Sequence, residues 1–497
     1  MIIIRNADIL VSAHDGSRRA ERGDIVIDGD RIVSVGPCAD NQHAGREIDA
    51  SGMLAMPGLI NGHFHSSANL QKGAVANTPL ELFMLFEVPP FMDRRGSARS
   101  AYVRTMLGAL EMLKQGVTAV HDDVFYVPSP SEAEIDAVMG AYRDSGMRAT
   151  VTIDHPNVVE YHKYPYLDEL LTPALRRAMD ETPLLPEVEL LALYRWFLDK
   201  WHMAEGGRLR VAMSCSAPQR VTRTYLQALS DLSRSREVPH NIHLLETRLQ
   251  RVHGIERLGQ SLVQYVREAG VLDRRTLAIH AIWIDDRDIE TLAESGCTVA
   301  HNPVCNLKLG SGIMPFRRLR RAGVPIALGT DEAIGDDGVN FWTVMKIAGM
   351  IHNITDPEYR HWPKESEILD AATSGGARGM LQEDEIGCLK AGAQADIVLL
   401  NKNTLSLTPL NNLQHQLVYC ENGSSVRTVL VAGKVVVENG KVLTIDEEAL
   451  KAEARGLAAE VAKYHEASHA AADRLAPFYR EMYLKSLKRD VGFSRWA

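Results

Sequence analysis

No two of the six cysteines (Cys38, Cys215, Cys297, Cys305, Cys388 and Cys420) stand in CxxC spacing. They therefore read as reduced core or loop thiols of a cytoplasmic protein, not as a disulfide framework. Basic residues are not in excess: 55 Lys and Arg face 64 Asp and Glu, a net charge of -9. That excludes the positive footprint of general nucleic-acid binding. No apolar run approaches the roughly 20 residues of a membrane span. The opening Met1-Ile2-Ile3-Ile4-Arg5 lacks the basic start and small-residue cleavage site of a signal peptide. Internal repeats, low-complexity tracts and Gly/Ser linkers are also missing. What remains, 45% hydrophobic and 24% charged over 497 residues, is an ordinary globular composition. It suffices for one large domain with an appendage, or for two to three ordinary domains.

Within that chain the first fifty residues hold short β-rich runs, with Asp28-Gly29 as a hairpin turn between two of them. From about residue 53, short apolar runs alternate with helical stretches such as Ala98–Lys114 and 131–145. The runs end at His65, Asp122, Asp154, Ser214, Glu246, His280, His301 and Asp331. Eight strand-then-helix units in series predict a (β/α)8 barrel of the TIM type over 53–384, with its chemistry at the strands' C-terminal ends. Residues 155–207 form a long insertion with a helix at Glu187–Trp201, suited to a lid or an oligomer contact. The last barrel helix is expected near 366–381. β character then returns, so that 1–52 and 385–445 together predict a small β-sandwich. Residues 446–497 read as a helical extension of one or two helices, with Leu450, Leu457 and Val461 at helical spacing.

The stretch Pro57-Gly58-Leu59-Ile60-Asn61-Gly62-His63-Phe64-His65 organises the chemistry. Alternation along a strand points His63 and His65 the same way. Two more donors, His243 and Asp331, fall at the ends of the fifth and eighth strands. Three neutral imidazoles and a carboxylate suit one divalent ion, Zn2+ or Fe2+, with a position left for water. Such an ion brings the pKa of water toward neutrality and makes hydroxide available for attack. Glu246, three residues past His243, is placed to pass a proton to a ring nitrogen. His280 and Asp331 are placed to hold the attacking water and move its proton to the leaving group.

These residues carry a resemblance. The His63-Phe64-His65 stretch is similar to the first-strand signature of the amidohydrolase superfamily. The run His243-Leu244-Leu245-Glu246-Thr247 resembles the HxxET of its aminohydrolase branch, which includes deaminases and triazine hydrolases. His301-Asn302-Pro303-Val304-Cys305-Asn306 and Leu328-Gly329-Thr330-Asp331 resemble two further signatures of that branch, as do segments of the tail to about residue 440. The resemblance implies a TIM barrel with a terminal β-sandwich and one ion held by His63, His65, His243 and Asp331. It assigns acid–base work to Glu246, His280 and Asp331. Residues 209–219 contain no Lys, which speaks against the carboxylated lysine of dinuclear relatives.

The expected activity is hydrolytic deamination of an amino-substituted purine, pterin, pyrimidine or triazine by metal-bound hydroxide, with a small N-heterocyclic molecule as the only partner besides a second subunit. No nucleic acid or membrane partner is expected; a homo-oligomer, a dimer, is. Hydrolysis of a cyclic amide, urea or chlorotriazine is the alternative within enzymes, and a non-catalytic scaffold the alternative outside them. Glu332-Ala333-Ile334-Gly335-Asp336 stands where many relatives carry an Asn-rich run. Asn69, Gln71, Glu87, His121 and Trp283 are the candidate pocket residues.

Overall fold

The computed structural model describes residues 1–12, 18–37, 45–91, 96–336 and 338–496. Cys38 lies outside them; the other five cysteines are free thiols.

The apolar run 54–60 is divided between two strands in different sheets. Met53–Pro57 joins the sheet built from the chain's ends, and Leu59–His65 begins the central parallel strands. The break falls at Gly58, whose N–H donates to Asp396 O. A Cβ there would lie 1.9 Å from Thr118 Oγ1, so only glycine lets the two layers approach this closely.

Among the described residues the end sheet has nine strands, drawn from 2–57 and 397–442. Ile4, Ile9, Ile25, Ile27, Ile397, Leu399 and Leu430 fill one face of it. The sheet curls until two of its turns touch: Gly433, at φ +72, would carry a Cβ 2.1 Å from Gly29 O. The Asp28-Gly29 turn is where the sequence places it.

The remaining strands pair in parallel, in two five-stranded sheets among the described residues. One runs Asp331–Glu332, Leu59–His65, Val117–Phe125, Arg148–Asp154, Leu209–Val211. The other runs Met213–Ser214, His240–Leu244, Thr276–His280, Thr298–His301, Ile326–Leu328. The fourth strand thus serves both sheets across a break at Ala212, and the eighth does so across Gly329-Thr330. Helices follow the strands as the apolar spacing requires. Ala98–Lys114 is capped by Ser97 and Glu132–Ser145 by Ser131, each hydroxyl accepting from the backbone N–H three residues on. The helix expected over 366–381 is two, Glu365–Ala371 and Ser374–Gly379. Between them Thr373 is non-helical (φ -132, ψ -90) and spends its hydroxyl on Leu369 O.

The extension is one helix, Glu447–Lys488, capped by Asp446. Leu450 and Ala454 bury against Val103, Met106 and Leu110. Further on, Ala472, Leu475, Tyr479 and Met482, spaced three, four and three apart, bury against Tyr161, Tyr164, Leu167 and Met179 of the 155–207 insertion. Tyr479 OH donates to Glu160 Oε1 at 3.1 Å. Insertion and extension therefore brace each other beside the ends of the central strands. No described helix is long and apolar enough to cross a membrane.

One buried ion pair ties the end sheet to the central strands. Arg148 on the third strand donates from Nε to Asp396 Oδ2 at 2.8 Å, and from Nη2 to Gln394 Oε1 at 2.9 Å. Both charged side chains are 2% exposed. Asp396 Oδ1 also accepts from Ala432 N at 2.7 Å. Asp396→Ala strands a guanidinium in the interior, and the expected loss is about 3–5 kcal/mol of stability. The shift of the urea midpoint measures it. A midpoint within error of wild type would show that water or Gln394 satisfies Arg148 alone.

Candidate metal centre and active-site cavity

Three imidazoles and one carboxylate meet at the C-terminal ends of the strands. His63 and His65, two apart on one strand, both bring Nε2 to 3.6 Å from Asp331 Oδ1. His243 Nε2 lies 3.3 Å from His65 Nε2, and the two rings stack at 5.3 Å with 9° between their planes. The His63 ring sits edge-on to both, at 4.7 and 4.9 Å. The backbone aims some of these groups at local cost. Asp331 has φ +63 and His280 φ +72, and Leu245, just before Glu246, has φ +50. Left-handed backbone in non-glycine residues concentrates where structure serves a site.

Outer partners fix the ring orientations. His243 Nδ1 is held by Ser216 O at 2.8 Å and His65 Nδ1 by Asp123 O, which leaves each Nε2 facing the shared point. Asp123 is itself held by the Thr152 and Ser214 hydroxyls. His63 is fully buried, and neither of its ring nitrogens has a hydrogen-bond partner. A buried imidazole in that condition is costly unless an electrophile takes its lone pair. Burial pushes the His63 and His243 pKa values down, keeping them neutral. Burial acts the same way on His65, but the charges of Asp331, Asp123 and Asp154 outweigh it and raise that imidazole above its ordinary value. Burial alone would raise Asp331, but His63, His280 and His65 hold its carboxyl well below the usual range. Imidazole nitrogens grouped around an ionised carboxylate fit a divalent metal ion.

Two further groups complete the cluster. His280 Nε2 lies 3.5 Å from Glu246 Oε2 and 3.7 Å from Asp331 Oδ2. Its Nδ1 accepts from Asn306 Nδ2 at 3.0 Å and lies 3.3 Å from Asn302 Nδ2, so the assigned amides put the ring proton on Nε2, toward Glu246 and Asp331. Burial lowers the His280 pKa to about 3. Burial, then the Asp331 charge, lifts the Glu246 carboxyl well above its ordinary value. A neutral imidazole and a carboxyl with raised proton affinity thus stand beside the same space.

That space is a cavity of about 790 Å3. His65, His243, Glu246, His280 and Asp331 form part of its wall. The helix Leu80–Glu87, residues 88–91 and residues 154–185 supply most of the rest, with many apolar side chains. Of the five pocket residues named from sequence, Glu87 lines the cavity and the other four lie elsewhere. Asn69 turns to the neighbouring helix and donates to Arg104 O at 2.7 Å. Gln71 is partly buried at the end of the 3-10 turn Ser66–Gln71, which also holds Asn69. His121 is buried inside the second strand, where burial lowers its pKa to about 3. Trp283 donates to Ser311 O at 2.7 Å and packs on Phe493 and Trp496 of the tail. Sequence reasoning includes Asn302 and Asn306 in a signature but gives them no role, although their i, i+4 spacing puts both amides on one side of a turn. It passes over Arg220, whose Nη1 reaches Ser216 Oγ at 3.3 Å on the cavity wall.

Comparisons with known proteins agree with this architecture. The chain is 32% identical over 451 residues to the 5-methylthioadenosine/S-adenosylhomocysteine deaminase of Desulforudis audaxviator, covering 90% of this chain and 96% of that one. It is 30% identical over 460 residues to the 5'-deoxyadenosine deaminase of Methanosarcina acetivorans, covering 93% and 98%. In structure it matches the zinc-complexed atrazine chlorohydrolase of Arthrobacter aurescens at a TM-score of 0.83, with 23% identity over 92% of this chain and all of that one. An adenosine deaminase of Xanthomonas campestris with bound zinc matches at 0.81, with 24% identity over 93% and 98%. Those two likenesses show the fold, a TIM-barrel-like α/β arrangement with a separate β-sandwich. The sequence model described as "Amidohydrolase family" matches residues 54–436, from the strand before the histidine pair to the last long strands of the end sheet, and the chain belongs to that family.

Proposed function

We propose that this protein is a metal-dependent aminohydrolase that removes an amino group from an N-heteroaromatic ring. The observation that carries the reading is the Glu246 carboxyl: buried, 3.5 Å from His280 Nε2, facing the cavity, and raised toward its protonated form. Deamination needs an acid at that place, because protonating a ring nitrogen makes the adjacent carbon of an aromatic amidine open to attack. His63, His65, His243 and Asp331 would hold one ion, with zinc the species suggested by this donor set. When bound, the ion lowers the pKa of water and stabilises negative charge developing near it.

The chain's own groups supply the rest. Glu246 donates its proton to the ring nitrogen. His280, fixed by Asn302 and Asn306, presents Nε2–H toward the space beside Asp331 and orients the attacking water there. Asp331 Oδ2, 3.7 Å from His280 Nε2, takes the water's proton, which then passes to the departing amine. The apolar residues of 88–91 and 154–185 keep bulk water from the ring and strengthen each of these interactions.

The sheet pairings also support closure of the parallel strands into a single barrel, since the fourth and eighth strands each belong to both sheets. They support the division into 1–52 with 385–445, 53–384, and 446–497, shifted only by the strand Met53–Pro57.

The expected result of incubating aminopurines, aminopterins, aminopyrimidines and aminotriazines with the zinc-loaded protein is ammonia release from at least one class, lost on chelation. Halide release from chlorotriazines without ammonia release would give the alternative reading its place. Ring opening of cyclic amides or ureas would do the same.

A further inference from the structure

Residues 489–496 lie across the loops that follow the fifth, sixth and seventh strands. Arg248, two residues after Glu246, donates to Arg489 O, and its guanidinium stands 5.7 Å from the ring centres of both Trp283 and Trp496. Those two indoles meet edge-on at 4.9 Å. Arg495 joins the loops. Its Nε donates to Ile282 O at 2.9 Å and its Nη2 to Ile284 O, while its own carbonyl accepts from Ile313 N–H at 2.8 Å. Among the described residues its half-buried guanidinium forms no salt bridge; the charge goes to two peptide carbonyls. Beside it, Trp496 Nε1 donates to Gly310 O at 2.9 Å.

Both loops bear directly on the reacting groups. Ile282 and Trp283 donate their N–H groups to Leu245 O at 3.1 and 2.8 Å, and Leu245 precedes Glu246. On the other side Ser311 N–H donates to Asn306 O at 2.9 Å, and the Asn306 amide is what holds His280 Nδ1. The chain leaves the sixth strand through two consecutive left-handed residues, His280 at φ +72 and Ala281 at φ +46. Such backbone persists only where surrounding contacts over-determine it. The first carbonyl beyond it, Ile282 O, is one that Arg495 holds.

The geometry points to Arg495 as a positioning residue of the reaction. It ties the loop after the sixth strand to the loop after the seventh, so that His280 keeps both its backbone angle and its amide partner. The inference rests on the aminohydrolase reading above. Arg495 does not line the cavity, so its effect passes through His280 and Glu246 and not through contact with the substrate.

The test uses the zinc-loaded protein carrying Arg495→Ala, with Trp496→Phe as a milder variant that removes only the indole N–H. Misplacing a reacting group by about 1 Å costs on the order of a hundredfold, so kcat for ammonia release should fall about ten- to a hundredfold while KM and metal content hold. Trp496→Phe should show the same change, smaller. Arg495→Lys, which can still donate to one carbonyl, should recover part of the loss. Two readouts separate positioning from stability alone. In an Asn306→Ala background, Arg495→Ala should cost less than about threefold, because members of one network do not act additively. Hydrogen exchange in Arg495→Ala should quicken about tenfold or more in peptides covering 278–284 and 306–313, and stay unchanged over 59–65. Losses that multiply in the double variant, or a kcat that Arg495→Ala leaves unchanged, overturn the inference while leaving the deaminase reading in place. If Arg495→Ala does not fold, a kcat unchanged in both Trp496→Phe and Arg495→Lys overturns it equally. Absence of ammonia release from every ring in the wild-type protein defeats the deaminase reading, and the inference falls with it, whatever the exchange shows.

Discussion

His243→Ala is expected to yield a folded protein with neither bound metal nor turnover. The side chain touches the other two imidazoles of the set. Its Nε2 lies 3.3 Å from that of His65, its ring 4.9 Å from that of His63, and its Nδ1 is tied to Ser216 O. Removing it takes away one of four donors and opens the site to water. Loss of an outer partner already costs roughly 10–100-fold in metal affinity, so loss of a direct donor should cost more. Turnover should fall about a thousandfold or further, since the ion supplies several kcal/mol of charge stabilisation. The fold should survive, because the strand is held by Leu244, Ile242 and the ladder on both sides, none of which the substitution touches. Metal analysis and thermal unfolding with and without chelator measure both halves. Chelation should lower the melting temperature of the wild-type protein and leave that of the variant unmoved. A variant that keeps one equivalent of metal and wild-type turnover would remove His243 from the centre.

The meeting of His63, His65, His243 and Asp331 is legible in the sequence because strand geometry is nearly rigid. Two residues apart means one direction, and the ends of successive parallel strands share one mouth. The same logic places Glu246 and His280 beside them. It fails one turn further along. After His65 the chain enters the 3-10 turn Ser66–Gln71, and nothing local shows whether Asn69 faces the cavity or the helix that its amide in fact bonds. Trp283 follows the sixth strand as a ligand-stacking residue would, yet Phe493 and Trp496, more than two hundred residues on, draw its ring away. The apolar face at Ala472, Leu475, Tyr479 and Met482 is readable as a helix stripe only once its partner, the distant insertion, is known. Strand ends are set by local hydrogen bonding, and the cavity wall by long-range packing.

Glu246→Gln is the sharper experiment, because it exchanges one carboxyl oxygen for an NH2 group and separates holding the metal from doing the chemistry. Glutamine keeps the length and shape of the side chain. The backbone anchor, Glu246 N–H to Gln250 Oε1 at 2.9 Å, does not involve the carboxyl. Metal content and stability should therefore match wild type. What is lost is the transferable proton: an amide can donate a hydrogen bond toward the ring nitrogen but cannot deliver an acid proton to it. General-acid catalysis by a positioned side chain contributes about 10²–10⁴-fold, so kcat for ammonia release should fall by that factor while KM moves little. His63, His65, His243 and Asp331 stay in place, which distinguishes this outcome from that of His243→Ala. The size of the loss also tells the two reactions apart. Displacement of a halide from an already activated ring needs less help from an acid, so a chlorohydrolase would lose less than a deaminase. Ammonia release by the Gln variant within fivefold of wild type, with metal bound, would show that the ring nitrogen takes its proton from some other group in the cavity.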